Sequence, residues 1–327
     1  MKPAKNPVAY VFDRMAGDYD ELRDLWYAWL FSRLHYFLAL EVGKLWQHTE
    51  QKVLDVGCGT GFQSFLYGAL GCEVLGIDIA AELVAAAERK VPDFLRRDDL
   101  ALFPAHHSFV SKYDRQIAER LRKRFPNSKR RPPQFQVGSA LAIECPDASF
   151  SHVNCCGSVL SLVDQPERAL DEIARVLQPG GTFFIEVESR WNCDAFWPVI
   201  DKLLGGVFHY ESSWAEALTP LRRPWRDSVR VEFPFGEDDD PVYMDLCLFT
   251  RRNLGDMLRA RGLKPKRWRT IHSITNLLPS TILDAANPSW FVKSIFSVLR
   301  RAEQLLPFSL PGCSLIVSGS KEIVCSV

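Results

Sequence analysis

The chain has no long uncharged apolar run. Its most apolar stretch, Leu25 to Val42, is broken by Arg33, His35 and Glu41, short of the ~18 uncharged residues that a membrane-crossing helix needs. A spanning helix is therefore not expected, while a helix lying on a membrane surface stays compatible with the pattern. Neither sign of charge is in excess: 40 Lys+Arg stand against 40 Asp+Glu, which argues against wholesale coating of nucleic acid. No CxxC pair occurs. The nine cysteines are scattered apart from the adjacent Cys155 and Cys156, so no metal site and no disulfide scaffold is expected, and reduced thiols in a cytoplasmic protein are. Met1 to Tyr10 carries two Lys and two Pro without the apolar core of a secretion signal. Internal repeats and low-complexity tracts are missing too. What remains is 47% hydrophobic and 24% charged, a balance that excludes a mostly disordered chain.

The apolar spacing alternates between two periods. Val11 to Trp46 reads as helical, with Leu22, Leu25, Trp26, Trp29 and Leu30 three to four apart. Gln51 to Val56 is a buried-type strand ending in a glycine-rich turn, and Phe62 to Leu70 a helix closed by Gly71. Cys72 to Ile77 is a second strand, followed by an alanine-rich helix over Ala80 to Lys90. Pro92 to Pro133 interrupts the alternation without a clean strand. Within it, Lys112 to Arg131 holds nine Lys/Arg and two acids, a local +7. Strands then return at Phe135 to Val137, Phe150 to Cys156 and Thr182 to Val187, with a helix over Gln165 to Leu177 and a Pro179-Gly180-Gly181 turn. Trp191 to Pro241 breaks the rhythm and ends in an acidic turn, Glu237 to Asp240. Val242 to Phe249, Lys266 to Ile274 and Ser314 to Ser318 read as further strands, Asn253 to Arg261 as a helix, and Leu277 to Leu310 as mostly helical.

Strand–helix–strand order of this kind predicts an α/β fold with a parallel sheet. The divisions expected are a helical cap over 1–50 and a core over 51–190 with the basic insertion 92–134. A lid over 191–250 and a C-terminal completion over 251–327, with an apolar helical insertion at 277–311, follow.

The chemistry concentrates in Val53-Leu54-Asp55-Val56-Gly57-Cys58-Gly59-Thr60-Gly61, a strand that delivers a Gly-x-Gly-x-Gly turn to the start of a helix. Glycines there let backbone approach a ligand closely, and the helix start offers free N–H groups. Val74-Leu75-Gly76-Ile77-Asp78 ends the next strand on a carboxylate able to accept both hydroxyls of a ribose. Together they suggest a nucleoside-containing cofactor. A dinucleotide fingerprint wants a glycine where Phe62 stands, which disfavours a pyrophosphate.

On these residues the chain resembles the class I S-adenosylmethionine-dependent methyltransferases. The segment Val53 to Gly61 is similar to their first motif, Asp78 to their second-strand acid, and Leu177-Gln178-Pro179-Gly180-Gly181-Thr182 to the turn before their fifth strand. The resemblance covers about Val8 to Ser189 well. It implies a mostly parallel, doubly wound, Rossmann-like sheet of seven strands with a helical cap and lid insertions, and S-adenosylmethionine as cofactor, with Gly57, Cys58, Gly59 and Gly61 beneath its methionine portion and Asp55 ordering the turn and holding the amino group. It also implies Asp78 on the ribose, Ile79 against the adenine, and Cys155 and Cys156 lining the methionine arm through backbone groups. Ser139 and Ala140 stand where the family often carries an acid for the adenine amine. Phe12-Asp13-Arg14-Met15-Ala16-Gly17-Asp18-Tyr19-Asp20 looks like the cap of quinone- and small-molecule-modifying members, with Tyr19 the aromatic to close over a sulfonium; packing between helices is its other reading.

Methyl transfer needs alignment more than a catalytic triad, and a base only for an acceptor that must lose a proton. Glu188, His209 and His272 are the weak candidates, each more readily an ordinary surface or satisfied side chain. The aromatic-rich segments after the fifth strand (Trp191, Phe196, Trp197, Phe208) and before the last (Trp290, Phe291, Phe296) suit a small apolar acceptor, or simply the cores of two insertions. An RNA methyltransferase using the +7 segment and a non-catalytic methyltransferase-like binding subunit are the alternatives.

Overall fold

The computed structural model describes residues 6–21, 23–46, 51–96, 107–210, 212–222, 224–235, 242–285, 287–305 and 310–323. Leu22, the 97–106 part of the basic insertion and the acidic turn at Glu237 to Asp240 lie outside the described residues.

The run expected as one helix over Val11 to Trp46 is two. Helix α1 (Pro7–Met15) begins where Asn6 accepts the Val8 N–H at 2.9 Å and Pro7 occupies the first turn. Helix α2 (Leu25–Leu45) begins anew where Asp24 accepts the Tyr27 N–H at 2.6 Å. The break between them carries Tyr19. Apolar side chains surround most of α2 and it is accordingly buried, with Leu25, Trp29, Leu34 and Leu38 all in the core.

The core alternation follows as β1 (Lys52–Val56), α3 (Phe62–Ala69), β2 (Glu73–Asp78), α4 (Ala81–Arg96), α5 (Ser108–Arg124), β3 (Gln134–Val137), β4 (Phe150–Cys155), α6 (Val159–Leu162), α7 (Pro166–Val176) and β5 (Leu177–Glu188). The remainder is α8 (Trp197–Leu203), α9 (Trp214–Arg222), β6 (Val229–Phe235), β7 (Val242–Leu248), α10 (Arg251–Arg259), β8 (Leu263–Ile271), α11 (Ser280–Leu283), α12 (Trp290–Leu305) and β9 (Ser314–Lys321). Seven strands form one sheet in the order β3-β2-β1-β4-β5-β9-β8. The first five are parallel, and β9 runs antiparallel to both β5 and β8. Strand order reverses between β1 and β4, so the carboxyl ends of these two open a crevice.

Alternate residues of the strands feed two cores: Val53 and Phe184 pack with α2, α3 and α5, whereas Leu54 and Phe183 pack with α7 and α10. The Pro179-Gly180-Gly181 turn is a bulge inside β5. Leu177 pairs with Phe150 and Thr182 with His152, leaving the four residues between unpaired.

Two features depart from the sequence reading. The segment Trp191 to Pro241, read without a strand, contains β6, which pairs with the expected strand at Val242 to Phe249 (β7) in a separate antiparallel hairpin. The alternating Val229, Val231, Phe233 and Phe235 carried that signal, which Pro234 obscures because proline cannot donate to a ladder. The basic insertion contains α5, whose Phe109, Val110, Tyr113, Ile117 and Leu121 are buried. Several of its cations are spent on the fold: Arg124 donates to Gly43 O at 3.0 Å and Trp46 O at 2.6 Å, and Arg120 lies over the Tyr36 ring.

Glu41 of α2 is buried and takes Arg267 at 2.8 Å, Arg269 at 3.1 Å and the Ser318 hydroxyl at 3.0 Å, tying the cap to β8 and β9. Burial works against its charge, but the two guanidiniums outweigh it and hold the carboxyl below its ordinary range. Both arginines keep access to water, which moderates the loss when the carboxylate is removed. Glu41→Ala should therefore cost about 1–3 kcal/mol by denaturant unfolding; an unchanged midpoint would contradict the tether.

Candidate active site

The glycine turn is built by β2. Ile77 O accepts the N–H groups of both Gly57 (2.8 Å) and Cys58 (3.0 Å), and Gly61 N–H closes back on Cys58 O at 2.8 Å before α3 begins. Gly57 adopts φ +71°, and an added Cβ there would stand 2.0 Å from Val159 Cγ2. Gly59, at φ +52°, faces the Tyr19 ring, whose Cε1 would lie 3.7 Å from its Cβ. Phe62, the residue that replaces a third dinucleotide glycine, opens α3 and stacks on Tyr19 with centroids 6.4 Å apart.

Asp78 locks this turn to its own strand. One carboxylate oxygen accepts the Gly59 N–H at 2.8 Å and the other the Ala80 N–H at 2.9 Å. Each oxygen keeps a second lone pair for a further donor. Burial raises its pKa while the backbone donors oppose the shift. Ile79 follows half-buried, and Ser139 lies past β3, where Gly138 N–H bonds Asp78 O at 2.8 Å. The Ser139 hydroxyl accepts the Leu141 N–H at 3.2 Å and Ala140 is buried beside it.

Asp55 does not reach outward. Its oxygens accept the Ser64 hydroxyl at 2.6 Å and the Asn154 amide at 2.7 Å, and burial pushes its pKa up to about 6. It ties the end of β1 to α3 and β4, and neither oxygen holds a group outside the protein's interior. Cys58, Cys155 and Cys156 are buried and their thiols are raised by desolvation, which leaves them inert as nucleophiles.

The cap completes the roof. Asp20 accepts the Thr60 hydroxyl at 2.5 Å and pairs with Lys90 at 2.7 Å, which joins the segment carrying Tyr19 to the glycine turn and to α4. Burial, then Asp78, Asp20 and Glu186, raise the Tyr19 hydroxyl, and its ring lies between Phe12 and Phe62 over Gly59.

At the far wall, Glu186 and Glu188 are two apart on β5 and share a face. Glu186 Oε2 accepts the Gly157 and Ser158 N–H groups at 3.0 and 2.9 Å, fixing the loop after β4. Its Oε1 faces Ser314 without a well-formed hydrogen bond. Glu188 Oε1 accepts the Ser158 hydroxyl at 2.7 Å. Burial, and then Glu186, push its pKa up to about 8. Gly157 beside them faces open space, with nothing within 4 Å of an added Cβ. Tyr27 of α2 joins this wall. Desolvation, then Asp284, Asp24, Glu188 and Tyr19, raise its hydroxyl, and the residue is 41% exposed.

The two histidine candidates lie elsewhere. His272 is buried, stacked on Trp26 at 3.8 Å, with its nitrogens on Thr275 Oγ1 (2.9 Å) and Trp26 O (3.1 Å); burial lowers its pKa against the nearby Glu303. His209 is exposed on the turn after α8. Sequence reasoning missed Tyr27, Ser158 and Glu186. Only Glu186 had a signal, the Glu-Val-Glu spacing that puts two carboxyls on one strand face.

This arrangement fits a nucleoside sulfonium: a glycine floor, a strand-end carboxylate with free lone pairs, an aromatic roof and an open space at Gly157. Among the described residues no three His, Cys, Asp or Glu side chains are grouped to hold a metal. Residues 29–266 match the family model of the methyltransferase domain. The demethylmenaquinone methyltransferase of Renibacterium salmoninarum is 25% identical over 178 residues, 54% of this chain and 57% of that protein. A ubiquinone biosynthesis O-methyltransferase of Xanthomonas campestris is 32% identical over 139 residues, 42% of this chain and 44% of that one. The chain thus spans about half the length of the curated relatives it matches. A SAM-dependent methyltransferase from Methanosarcina mazei shares the fold with a TM-score of 0.50 and 16% identity, over 86% of this chain and 97% of that one. The chain belongs to the class I S-adenosylmethionine-dependent methyltransferase family, and its cofactor is S-adenosylmethionine.

Proposed function

We propose that this protein methylates a small apolar or aromatic acceptor through a nucleophile that gives up a proton, and that Glu188 takes that proton. Bound cofactor supplies an electrophilic methyl on a sulfonium. Asp78 accepts from the ribose hydroxyls, backbone at Gly57 to Gly61 and Cys155 to Gly157 borders the methionine arm, and Tyr19 closes over the top. Holding two reactants in line contributes about 7–11 kcal/mol.

The observation that carries the reading is the state and place of Glu188. A carboxyl with a pKa near 8 is a far stronger base than an ordinary glutamate, and it bonds Ser158 next to Gly157, which faces open space. Glu186 contributes by keeping a second carboxyl close, which disfavours ionisation of the first. An aromatic acceptor is supported by the quinone chemistry named for the Renibacterium salmoninarum and Xanthomonas campestris relatives. An RNA acceptor draws less support, because α5 spends Arg124 and Arg120 on the cap helix.

Asp78→Asn should weaken S-adenosylmethionine binding by roughly 10- to 100-fold, the loss of about one charge-assisted hydrogen bond or two, in isothermal titration of a still folded chain. Equal affinity would contradict the ribose assignment. With a phenolic acceptor, the wild-type rate should climb with pH to about 8 and level above it, since the base works only when ionised. Glu188→Gln should lower kcat on the order of 100-fold and flatten that limb while cofactor affinity holds; an unaltered pH profile would remove Glu188 from the reaction.

A further inference from the structure

A second cavity, of about 580 Å³, opens between the start of α2, the start of α5 and α12. It is distinct from the methyl-transfer crevice. None of its described lining residues belongs to the glycine turn, to Asp78, to Tyr19 or to the wall made by Ser158, Glu186 and Glu188. Lys293, Ser297 and Arg300 enter it from one face of α12, at the i, i+4, i+7 spacing of a single helical stripe, and Arg23 enters from the loop before α2. Among the described residues, no carboxylate lines it. Arg23 pairs outside it with Glu21 at 3.1 Å, and Lys293 has no ion pair among the described residues. Arg300 lies over the rings of Trp29 and Phe109, at 5.3 and 4.9 Å, and its Nε is buried without a hydrogen bond. The first turn of α5 joins these cations at Ser108, and no side chain caps that 17-residue helix. Its free N–H groups add to the positive field.

We propose that this cavity binds a phosphate group, either on a soluble phosphate ester or on the headgroup of a phospholipid. Three converging cations with a helix start suit a doubly charged oxyanion better than a single carboxylate, and guanidiniums match its oxygens in pairs. Both sources share that chemistry. For the lipid source, α12 also carries Trp290, Phe291, Val298 and Leu305 exposed, with Phe291, Val298 and Leu305 on the helix face opposite Lys293, Ser297 and Arg300. Aromatic and aliphatic side chains flanked by lysine and arginine are the composition of a helix that lies at a membrane surface.

The test uses the full chain in low salt, with pyrophosphate as the soluble probe in titration calorimetry. Vesicles of phosphatidylcholine, with and without phosphatidic acid, serve as the lipid probe in co-sedimentation. Arg23 and Lys293 are exposed, so Arg23→Gln with Lys293→Gln should keep the fold and leave S-adenosylmethionine affinity within about twofold. Saturable pyrophosphate binding that the double variant weakens by about tenfold or more supports the site with a soluble ligand. Co-sedimentation that needs phosphatidic acid, and is lost both in the double variant and in Trp290→Ala with Phe291→Ala, supports it with a lipid. Binding of neither probe, or binding that the double variant leaves unchanged, overturns the proposal.

Discussion

One carboxylate organises this molecule's working end. Asp78 draws the Gly59 N–H across from the first strand and holds its own chain at Ala80, so the turn between β1 and α3 has one shape. A buried carboxylate is costly without donors, and these two N–H groups offset that cost without using up its lone pairs. The result is a charged group that is ordered before any ligand arrives and still able to accept from one. Preorganisation of this kind reduces the entropy lost on binding.

Beneath the turn lies a polar network that stays inside the protein. Asp55 is joined to Ser64 and Asn154. Asn154 in turn meets the Tyr67 hydroxyl at 3.3 Å, and that hydroxyl stands 2.9 Å from His152. Burial lowers His152 to about 3, so this histidine is neutral at physiological pH and serves the packing of β4 against α3. The contrast with Glu188 is instructive. Both groups are desolvated, but only Glu188 has a like charge two residues away and open space beside it at Gly157. Environment, more than residue type, separates structural polar groups from those available for chemistry.

The parts of the fold legible in the sequence are those written in local residue identity. Gly57, Gly59 and Gly61 announce a turn that other residues cannot take, and Asp78 is recognisable because a strand ends on it. The division of the cap into two helices was less visible. Asp24 caps α2, but the apolar spacing runs on across the gap. Least legible were contacts that depend on the sheet being assembled. Ser158 meets Glu188 thirty residues away only because β4 and β5 are neighbours. Tyr27 joins the same wall only because the fold brings α2 there. His272 looked like a candidate base by its place near a strand end, and the stack on Trp26 with two filled nitrogens makes it a structural residue instead. The aromatic lid segments read as one class in sequence. In the fold they divide: Phe296 is core, whereas Trp290 and Phe291 are exposed.

The central claim is that the corner made by β1, α3 and the end of β2 cradles the adenosyl group under Tyr19. A crystal structure of the chain with S-adenosylhomocysteine tests it most directly. The account predicts ribose hydroxyls on the Asp78 carboxylate, the adenine between Ile79 and Ser139, and the sulfur turned toward Tyr19 and Glu188. A ligand seated anywhere else on the chain, or a ribose that leaves Asp78 bound only to Gly59 and Ala80, would contradict it.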